Sequence, residues 1–357
     1  MIPYLLFFCV AGIPALFHWI RPNKLAWAAA WVVFVLFIGL RHHVGGDWEG
    51  YLLITQRING LDFLDSMKEE EILFSLLTWV SAKLGFGVYG VNLAGAAIFC
   101  SGLFAYCSIQ SNRWLALATA VPFLVVVAVM SANRQGMAIG TVLWVMSRWG
   151  RLGLKRRALG IAIAALFHAS AAFLLVFCVT DLKIGKFKKI LLLLLVTVIA
   201  FWLLNRSEVI WQRYTSIYTQ EKAAGVYSPG AIFHLLLNLF PALLMLAFQR
   251  RWSQLLPDWL LLRQLCWMAI ALLALSPFYT VAVGRMSLYL FPISISFVSS
   301  LPRIIATPAG RALARMVSTM VLGGVLVLWL EFANTAFTYR PYGNVLLMHS
   351  SDLNLPQ

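Results

Sequence analysis

Long apolar runs, separated by short polar stretches, dominate the hydrophobic pattern of this chain. Typical runs are KLAWAAAWVVFVLFIGL, KILLLLLVTVIAFWLL and MVSTMVLGGVLVLWLEF, each close to the roughly 20 residues that an α-helix needs to cross a bilayer. Residues 1–20 form another such run, without the basic start and small-residue cleavage site of a signal peptide. The pattern predicts an all-α, polytopic integral membrane protein with about ten full spans.

Charged residues are scarce and lie between the apolar runs. Only 11% of the residues are charged, against about 25% in soluble domains. The formal net charge of +15 comes mainly from short basic clusters beside the runs, at residues 21–24, 148–157, 183–189, 250–251 and 303–315. Because basic residues in short loops stay on the cytoplasmic side, the charge indicates membrane topology and argues against a nucleic-acid partner.

With these clusters inside, the other loops fall on the outer face of the membrane. Seven of the thirteen acidic residues lie between Asp47 and Glu71, on that face. No internal repeat or low-complexity segment divides the chain, so residues 1–357 are predicted to form one transmembrane domain. The predicted outer segments are the active-site loops near 41–70 and 205–230, the linker with Asn133 and Arg134, the turn Ser276–Tyr279 and the tail 333–357.

Two segments do not fit simple spans. Residues 158–180 have basic clusters at both ends, yet 23 residues of helix rise only about 35 Å and cannot cross twice. We therefore expect two short helices that turn at His168 and Ser170. Residues 70–86 must also enter and leave on one side, and their acidic start suits a helix N-terminus. Both segments are predicted to be partial, re-entrant helices, since irregular backbone at membrane depth needs protein or a wet cavity around it.

Five polar residues point to a site: Arg41, Asp47, Arg134, His168 and Arg285. The predicted topology brings them towards one outward-facing pocket that is richer in arginine than in carboxylate. Such a pocket suits a phosphate-bearing substrate, because arginine binds phosphate bidentately and stays charged. Plainer alternatives remain open: a solvated loop for Asp47, an interfacial snorkelling Arg134, a structural ion pair for Arg285 and a hydrogen-bonded core histidine for His168.

No metal or cofactor is expected. His42 and His43 are adjacent, so their side chains would diverge on a helix or strand. The chain has no HExxH, DxD or Gly-rich phosphate loop. Its five cysteines lie within apolar runs without CxxC spacing, which is typical of small buried hydrophobic residues.

Four short polar elements follow one another in the N-terminal half. They are RHHVGGDWEGY, with Arg41, Gly45, Asp47 and Tyr51; EEEIL, with Glu70 or Glu71; NRQGMAIG, with Arg134, Gln135 and Ala138; and FHAS, with His168 and Ser170. Together, over about residues 35–180, they resemble the EpsG family of Wzy-like polysaccharide polymerases; the C-terminal half is similar mainly in layout. The family often has a proline after the glutamate of the second element, so the choice between Glu70 and Glu71 stays open.

The resemblance implies a substrate, a fold and partners. The substrate would be oligosaccharide repeat units carried on undecaprenyl pyrophosphate, joined on the periplasmic face of the bacterial inner membrane. The fold would be similar to that of the GT-C glycosyltransferases. The implied partners are membrane lipids, a flippase and a chain-length regulator.

The implied reaction assigns roles to individual residues. An acceptor hydroxyl attacks C1 of the sugar that bears the lipid pyrophosphate. Arg134 and Arg285 would neutralise the leaving group, with Arg41 as a third, and Asp47 or His168 would receive the proton or orient the acceptor. The predicted substrate-binding residues are Arg41, Tyr51, Glu70, Glu71, Gln135, Ser170, Tyr289, Tyr339, Arg340 and Tyr342.

Two other classes of protein remain as alternatives. A lipid-linked saccharide transporter or flippase would be expected to place charges at the midplane, often in two matched halves. A membrane acyltransferase that modifies sugars would use a histidine such as His168 and would leave the outward arginines without a role. The one-sided placement of the charges favours the polymerase.

Overall fold

The computed structural model describes residues 1–17, 23–180, 229–256 and 258–348, together with short stretches between 182 and 195. This part of the chain is almost entirely helical. Its helices, numbered here in chain order, are α1 (Ile2–Leu16), α2 (Lys24–Gly39), α3 (Trp48–Asn59), α4 (Phe63–Glu69), α5 (Ile72–Lys83), α6 (Gly87–Ser108), α7 (Arg113–Ala120), α8 (Asn133–Met146), α9 (Leu154–Phe167), α10 (Leu175–Thr180), α11 (Pro229–Ala247), α12 (Gln249–Leu255), α13 (Trp259–Leu275), α14 (Thr280–Ser287), α15 (Phe291–Ile304) and α16 (Pro308–Phe332).

Short irregular elements complete the described chain. A π-helix continues α7 at Val121–Val129, and 3₁₀ turns occupy Ala169–Leu174, Leu288–Leu290, Ala336–Tyr339 and Val345–Leu347. Two short strands, β1 (Arg41–His42) and β2 (Gly343–Asn344), pair antiparallel.

Several helices begin where the sequence supplies a cap. Asn23 accepts a hydrogen bond from Ala26 N at the start of α2, and Asn112 accepts one from Leu115 N at the start of α7. Thr307 caps α16, and Pro308 follows it at the first helical position. These side chains satisfy backbone donors that have no partner inside the helix, so the polar residues between the apolar runs also set where each helix starts.

Three helical segments of the described residues are long and apolar enough to cross a membrane. They are Gly87–Ser108, Thr280–Ile304 and Pro308–Phe332, and the bent pair α11–α12, with a 98° angle, could supply a fourth. Six further apolar helices are shorter. The all-α membrane class is therefore confirmed, while the number of full spans and the GT-C-like arrangement stay predictions.

Helices α6 and α8 cross so closely that only glycine fits at the contact. A Cβ atom on Gly102 would collide with the Gly140 carbonyl oxygen, and one on Gly140 would collide with the backbone of Phe99. Small residues at helix crossings are a common packing device in membranes, where backbones approach without a hydrophobic driving force. Helix α6 also packs against α2 and α5, so it connects the elements that carry the polar motifs.

Both predicted partial elements contain short helices, and whether they are re-entrant stays a prediction. Helix α5 has only 12 residues, which is about 18 Å of helix, and α6 starts four residues after it ends. Helix α9 ends at Phe167, His168 is extended with φ −157° and ψ 116°, and the following 3₁₀ turn and α10 pack against α9. The predicted break at His168 is confirmed.

The C-terminal segment pairs with the first polar element, RHHVGGDWEGY, in a contact that the sequence did not indicate. Arg41 pairs with Asn344 and His42 with Gly343 in the β1–β2 ladder. Next to this ladder, Val345 N donates to Leu40 O over 2.9 Å. Residues 41–45 of one predicted outer segment therefore contact residues 338–344 of another, which we call the strap.

Candidate active site

Arg134 is held by two carboxylates from a different part of the chain. Its Nη1 atom donates to Glu70 Oε2 and, over 2.9 Å, to Glu71 Oε2. The glutamates lie just before α5, whereas Arg134 lies in the first turn of α8. The glutamate side chains are 1% and 7% exposed and that of Arg134 is 20% exposed. Charges this deeply buried are tolerated because they are paired, and both candidate glutamates share the pairing.

His168 joins this group through Glu71. Its Nδ1 atom lies 2.9 Å from Glu71 Oε1. A carboxylate at this position accepts the Nδ1 proton, so in the neutral ring the lone pair is on Nε2. Burial opposes ionisation of Glu71, but the His168 hydrogen bond and the Arg134 charge outweigh it and hold the pKa of Glu71 well below its ordinary value. We call Glu70, Glu71, Arg134 and His168 the Arg134 cluster.

Two aromatic residues fix the arginine from α3 and α5. The Tyr51 hydroxyl accepts a hydrogen bond of 3.3 Å from the backbone N–H of Arg134. The Phe74 ring lies 5.6 Å from the guanidinium carbon, within range of a cation–π interaction. Both aromatic side chains are buried. The position of Arg134 in α8 thus depends on contacts with α3 and α5.

Arg41 is buried and its donors bind the protein itself. Its guanidinium donates to Ile38 O over 2.6 Å, to Val44 O over 3.3 Å and to Asn92 Oδ1 over 3.5 Å. Asn92 Oδ1 also accepts from Asn133 Nδ2 over 2.8 Å. This chain of contacts links the first polar element to the start of α8. The predicted contact of Arg41 with a phosphate stays a prediction, and the observed contacts indicate a positioning role.

Arg285 approaches the cluster from the C-terminal half. Its backbone oxygen accepts from Gln135 Nε2 over 2.6 Å, and the preceding carbonyl, of Gly284, is bonded to His234. Its charge acts on His168. Its side chain is half-buried, and no carboxylate pairs with its guanidinium within the described ranges.

The turn after His168 is tied to the same helix pair. Ser170 Oγ lies 3.1 Å from the Tyr289 hydroxyl, and the Tyr289 ring packs edge-on against Phe173 with centroids 5.7 Å apart. Gln135, Ser170 and Tyr289, predicted to bind substrate, therefore lie where α8, the His168 turn and α14 meet.

Asp47 is set apart from the cluster. It precedes α3 at the capping position, it is exposed, and its charge acts on Tyr51 and Tyr339. Gly45 explains the tight approach of this segment. Its φ is +102°, and a Cβ there would collide with the Met130 carbonyl oxygen, so only glycine is suited to the position.

The predicted substrate-binding residues of the tail make contacts within the protein. Tyr339 and Tyr342 donate to backbone carbonyls of the π-helix and of α2, each over 2.8 Å. Arg340 forms an ion pair of 3.1 Å with Glu331 at the end of α16. The hydroxyl groups hold the strap in place; a role for these three residues in substrate binding stays a prediction.

Carboxylates of the protein balance part of the positive charge at the site. Arg134 faces two carboxylates, so its charge is largely neutralised by the protein. Arg285 is the half-buried arginine near the cluster without such a partner among the residues described. Asn92 was not among the predicted site residues. The signal that could have identified it is a single amide side chain within an apolar helix.

Other predictions concern metals and masked parts of the chain. The described residues contain no group of three His, Cys, Asp or Glu side chains arranged to hold a metal ion. The predicted active-site loop at 205–230 lies outside the described residues except for its last two positions. The part of the tail beyond residue 348 also lies outside them.

Comparisons with known proteins bear on the assembled site. No curated protein and no solved structure matches the chain. The EpsG family model matches residues 24–344, which include all four polar elements, the Arg134 cluster, Arg285 and the strap. The chain therefore belongs to the EpsG family, whose members are polysaccharide-polymerase-like membrane proteins.

Proposed function

We propose that the protein is a glycosyltransferase-type polymerase that joins oligosaccharide repeat units carried on undecaprenyl pyrophosphate. One observation carries the proposal. Residues of four elements that are distant in sequence, Tyr51, Glu71, Arg134 and His168, meet in one buried polar cluster beside Arg285. Buried charges at membrane-protein helix ends are costly and mark functional sites. Because the chain belongs to a family of polymerase-like proteins, we assign glycosyl transfer to this site.

The reaction breaks one bond to an anomeric carbon and makes another. The acceptor hydroxyl oxygen attacks C1 of the donor sugar, the bond from C1 to the pyrophosphate oxygen breaks, and the electron pair leaves with the pyrophosphate. The acceptor proton passes to His168 Nε2, since Glu71 occupies the proton on Nδ1. Glu71 and His168 thus form a base and its orienting carboxylate, as in other pairs of this kind.

Arg285 is the group best placed to neutralise the leaving pyrophosphate. Its half-buried guanidinium has no carboxylate partner among the described residues, so an anion would compensate its charge. Arg134 acts differently, because Glu70 and Glu71 already balance it. We assign Arg134 to holding the Glu71–His168 pair in place and to a secondary contact with the pyrophosphate. Asp47 remains the second candidate for orienting the acceptor.

The predicted topology places this site on the periplasmic face of the bacterial inner membrane. The basic clusters at residues 148–157 and 303–315 lie at the opposite ends of the helical segments that carry Arg134 and Arg285, as the positive-inside rule requires. A flippase would deliver the lipid-linked unit to this face, and a chain-length regulator would act on the product.

Reconstitution tests the function directly. The full chain in lipid vesicles, given a lipid-linked repeat unit, should produce a ladder of polymers on a gel. Arg285→Ala should reduce the ladder by about 10²–10³-fold, the usual effect of removing a preorganised charge donor. Arg57→Gln is the matched control, because Arg57 is an exposed arginine paired with Glu69.

The same assay separates the alternatives. Movement of the lipid-linked unit across the vesicle membrane without a ladder would identify a transporter. Transfer of an acyl group to the sugar, with the repeat unit otherwise unchanged, would identify an acyltransferase. Either result overturns the polymerase proposal.

A further inference from the structure

A group of aromatic side chains near the start of α3 has one exposed ring, His43, above the buried rings of His42 and Trp48 and the half-buried ring of Tyr89. It consists of His42, His43, Trp48, Glu49 and Tyr89, and we call it the His43 face. The His43 ring lies 4.4 Å from that of His42 and 5.6 Å from that of Trp48, between centroids, and Trp48 lies 5.8 Å from Tyr89. The Tyr89 hydroxyl is 2.5 Å from His42 Nδ1. These contacts fix four rings in one array.

The outer layer of this array is an exposed ion pair. His43 Nδ1 lies 3.1 Å from Glu49 Oε1, and the two side chains are 57% and 67% exposed. A pair as exposed as this contributes little to stability. His43 also has a φ of +49°, in the left-handed region that residues with a Cβ atom avoid. Histidine is one of the residues that adopts this region more readily than others, and the turn places its side chain in solvent.

The surface next to His43 is uncovered and acidic. A Cβ atom on Gly50 would meet nothing within 4 Å, and one on Gly46 would meet only Ser131 Oγ. Asp47 is exposed there and forms no ion pair with another described residue. Two exposed carboxylates, Asp47 and Glu49, therefore lie in the same segment as His43, and Glu49 Oε1 contacts the His43 ring over 3.1 Å.

The face is connected to the Arg134 cluster through α3. Trp48 and Tyr51 lie three residues apart on α3 and so share one side of that helix. Both are buried, and the Tyr51 hydroxyl accepts from the backbone N–H of Arg134. A saccharide whose reacting hydroxyl lies at the cluster would extend over the His43 face with its next rings.

We propose that the His43 face binds an uncharged pyranose ring of the acceptor glycan. The apolar C–H side of the ring would pack on the His43 imidazole, as sugar rings pack on aromatic faces, and its hydroxyls would donate to Asp47 and Glu49. An acidic sugar is excluded, because its carboxylate would face these two. The inference rests on the proposed polymerase function, and it adds the saccharide class that the site accepts.

Direct binding tests the face without turnover. The probe is the free repeat-unit oligosaccharide, released by mild acid from the lipid-linked stock and added to the purified full chain. Saturation-transfer NMR should show contact with its ring protons for the wild type. His43→Asn, which tolerates a left-handed backbone, should weaken binding by at least about fivefold, as a lost aromatic contact does. Equal transfer in wild type and variant, or none in the wild type, overturns the inference.

Two controls sharpen this measurement. Glu69→Gln removes a carboxylate of the same segment that pairs with Arg57, so it should bind as the wild type does. Trigalacturonate, an acidic saccharide, should not displace the probe. Displacement by trigalacturonate, or an equal loss in Glu69→Gln, contradicts the assignment of Asp47 and Glu49 to an uncharged ring.

Turnover then separates this inference from the proposed function. In the polymer assay, His43→Asn should raise KM for the acceptor by about tenfold and leave kcat unchanged, since the face holds rings remote from the reacting carbon. A lower kcat at constant KM would assign His43 to the chemistry and overturn the inference. If the wild type makes no ladder but binds the probe through His43, the polymerase proposal fails and the saccharide site stands.

Discussion

Arg134 Nη1 donates to Glu71 Oε2 over 2.9 Å, across a separation of 63 residues in the sequence. Glu71 uses its other oxygen to accept from His168. One carboxylate therefore joins the arginine element to the histidine element. Because these charges are buried, each of them depends on its partner for both folding and activity.

Removal of Arg134 should affect folding as well as polymer. Arg134→Ala leaves two buried glutamates without their cation, which we expect to lower the free energy of unfolding by about 3 kcal/mol. A triple variant, Arg134→Ala with Glu70→Gln and Glu71→Gln, removes the uncompensated charge and should recover much of the thermal stability. It should still make no polymer. Unfolding in detergent and the polymer ladder measure the two effects.

The outcome for the triple variant distinguishes two roles of this arginine. Normal polymer in a stable triple variant would show that the cluster only holds the fold. Failure to recover stability would show that the glutamates contribute more through their own contacts than through charge.

His168 and Glu71 should act as one unit. We expect His168→Gln to lower the rate of polymerisation by about 10²–10⁴-fold, the usual range for a lost general base. Glu71→Gln in the same background should add little, since the carboxylate acts through the ring. Initial rates of the four proteins of this cycle give the coupling. Fully additive losses would contradict a shared role.

Thermal stability should depend on pH through Glu71. The pKa of this carboxyl is lowered in the folded protein from an ordinary value of 4.5, so its ionised form stabilises the fold at every pH above about 4.5. That contribution is lost as the pH falls further. The difference in Tm between wild type and Glu71→Gln should stay constant from about pH 8 to pH 6 and shrink below about pH 4.5. A difference that grows in acid would have the wrong sign.

The lengths and order of the apolar runs predicted which helix ends, and so which polar residues, lie on the same side of the membrane. Arg134 and His168 were predicted that way, whereas Glu70 or Glu71 was predicted from the resemblance to the EpsG family; all of them meet in the structure. The sequence did not predict that Arg134 is neutralised by the protein. Pairing partners depend on side-chain geometry at helix ends, and a run of three glutamates does not reveal which of them turn inwards.

Arg41 shows the same limit from the other direction. In the sequence it is one more arginine near the outer face, and a phosphate contact was the simplest reading. In the structure its guanidinium donates to Ile38, Val44 and Asn92. Such backbone contacts depend on the turn made by the following residues and on a helix about 50 positions away, neither of which leaves a sequence signal.

Gly45 should not tolerate alanine. Alanine there would need φ of +102° and would collide with the Met130 carbonyl oxygen, so we expect a loss of about 1–3 kcal/mol in stability. Gly50→Ala is the control, because nothing lies within 4 Å of its Cβ position and alanine favours the helix. Thermal unfolding of both variants tests this. Equal Tm values would contradict the close approach.

Polymerisation should continue in EDTA. The described residues hold no group of three potential metal ligands, and arginine supplies the positive charge that a metal would otherwise provide. Polymer yield with and without the chelator is the measurement. Loss in EDTA that added Mg²⁺ restores would require a metal site in the remaining part of the chain.

The pairing of Arg41 with Asn344 has a consequence for biosynthesis. Asn344 leaves the ribosome about 300 residues after Arg41, which takes roughly 15–60 s at about 5–20 residues per second. During this interval the nascent chain inserts its helices while the backbone groups of Arg41 and His42 lack their partners in β2. A chain that ends shortly before residue 338 would contain the helices through α16 and would lack the β1–β2 pairing. Such a fragment would open more readily at this end, and locally opened chain is what quality-control proteases cleave.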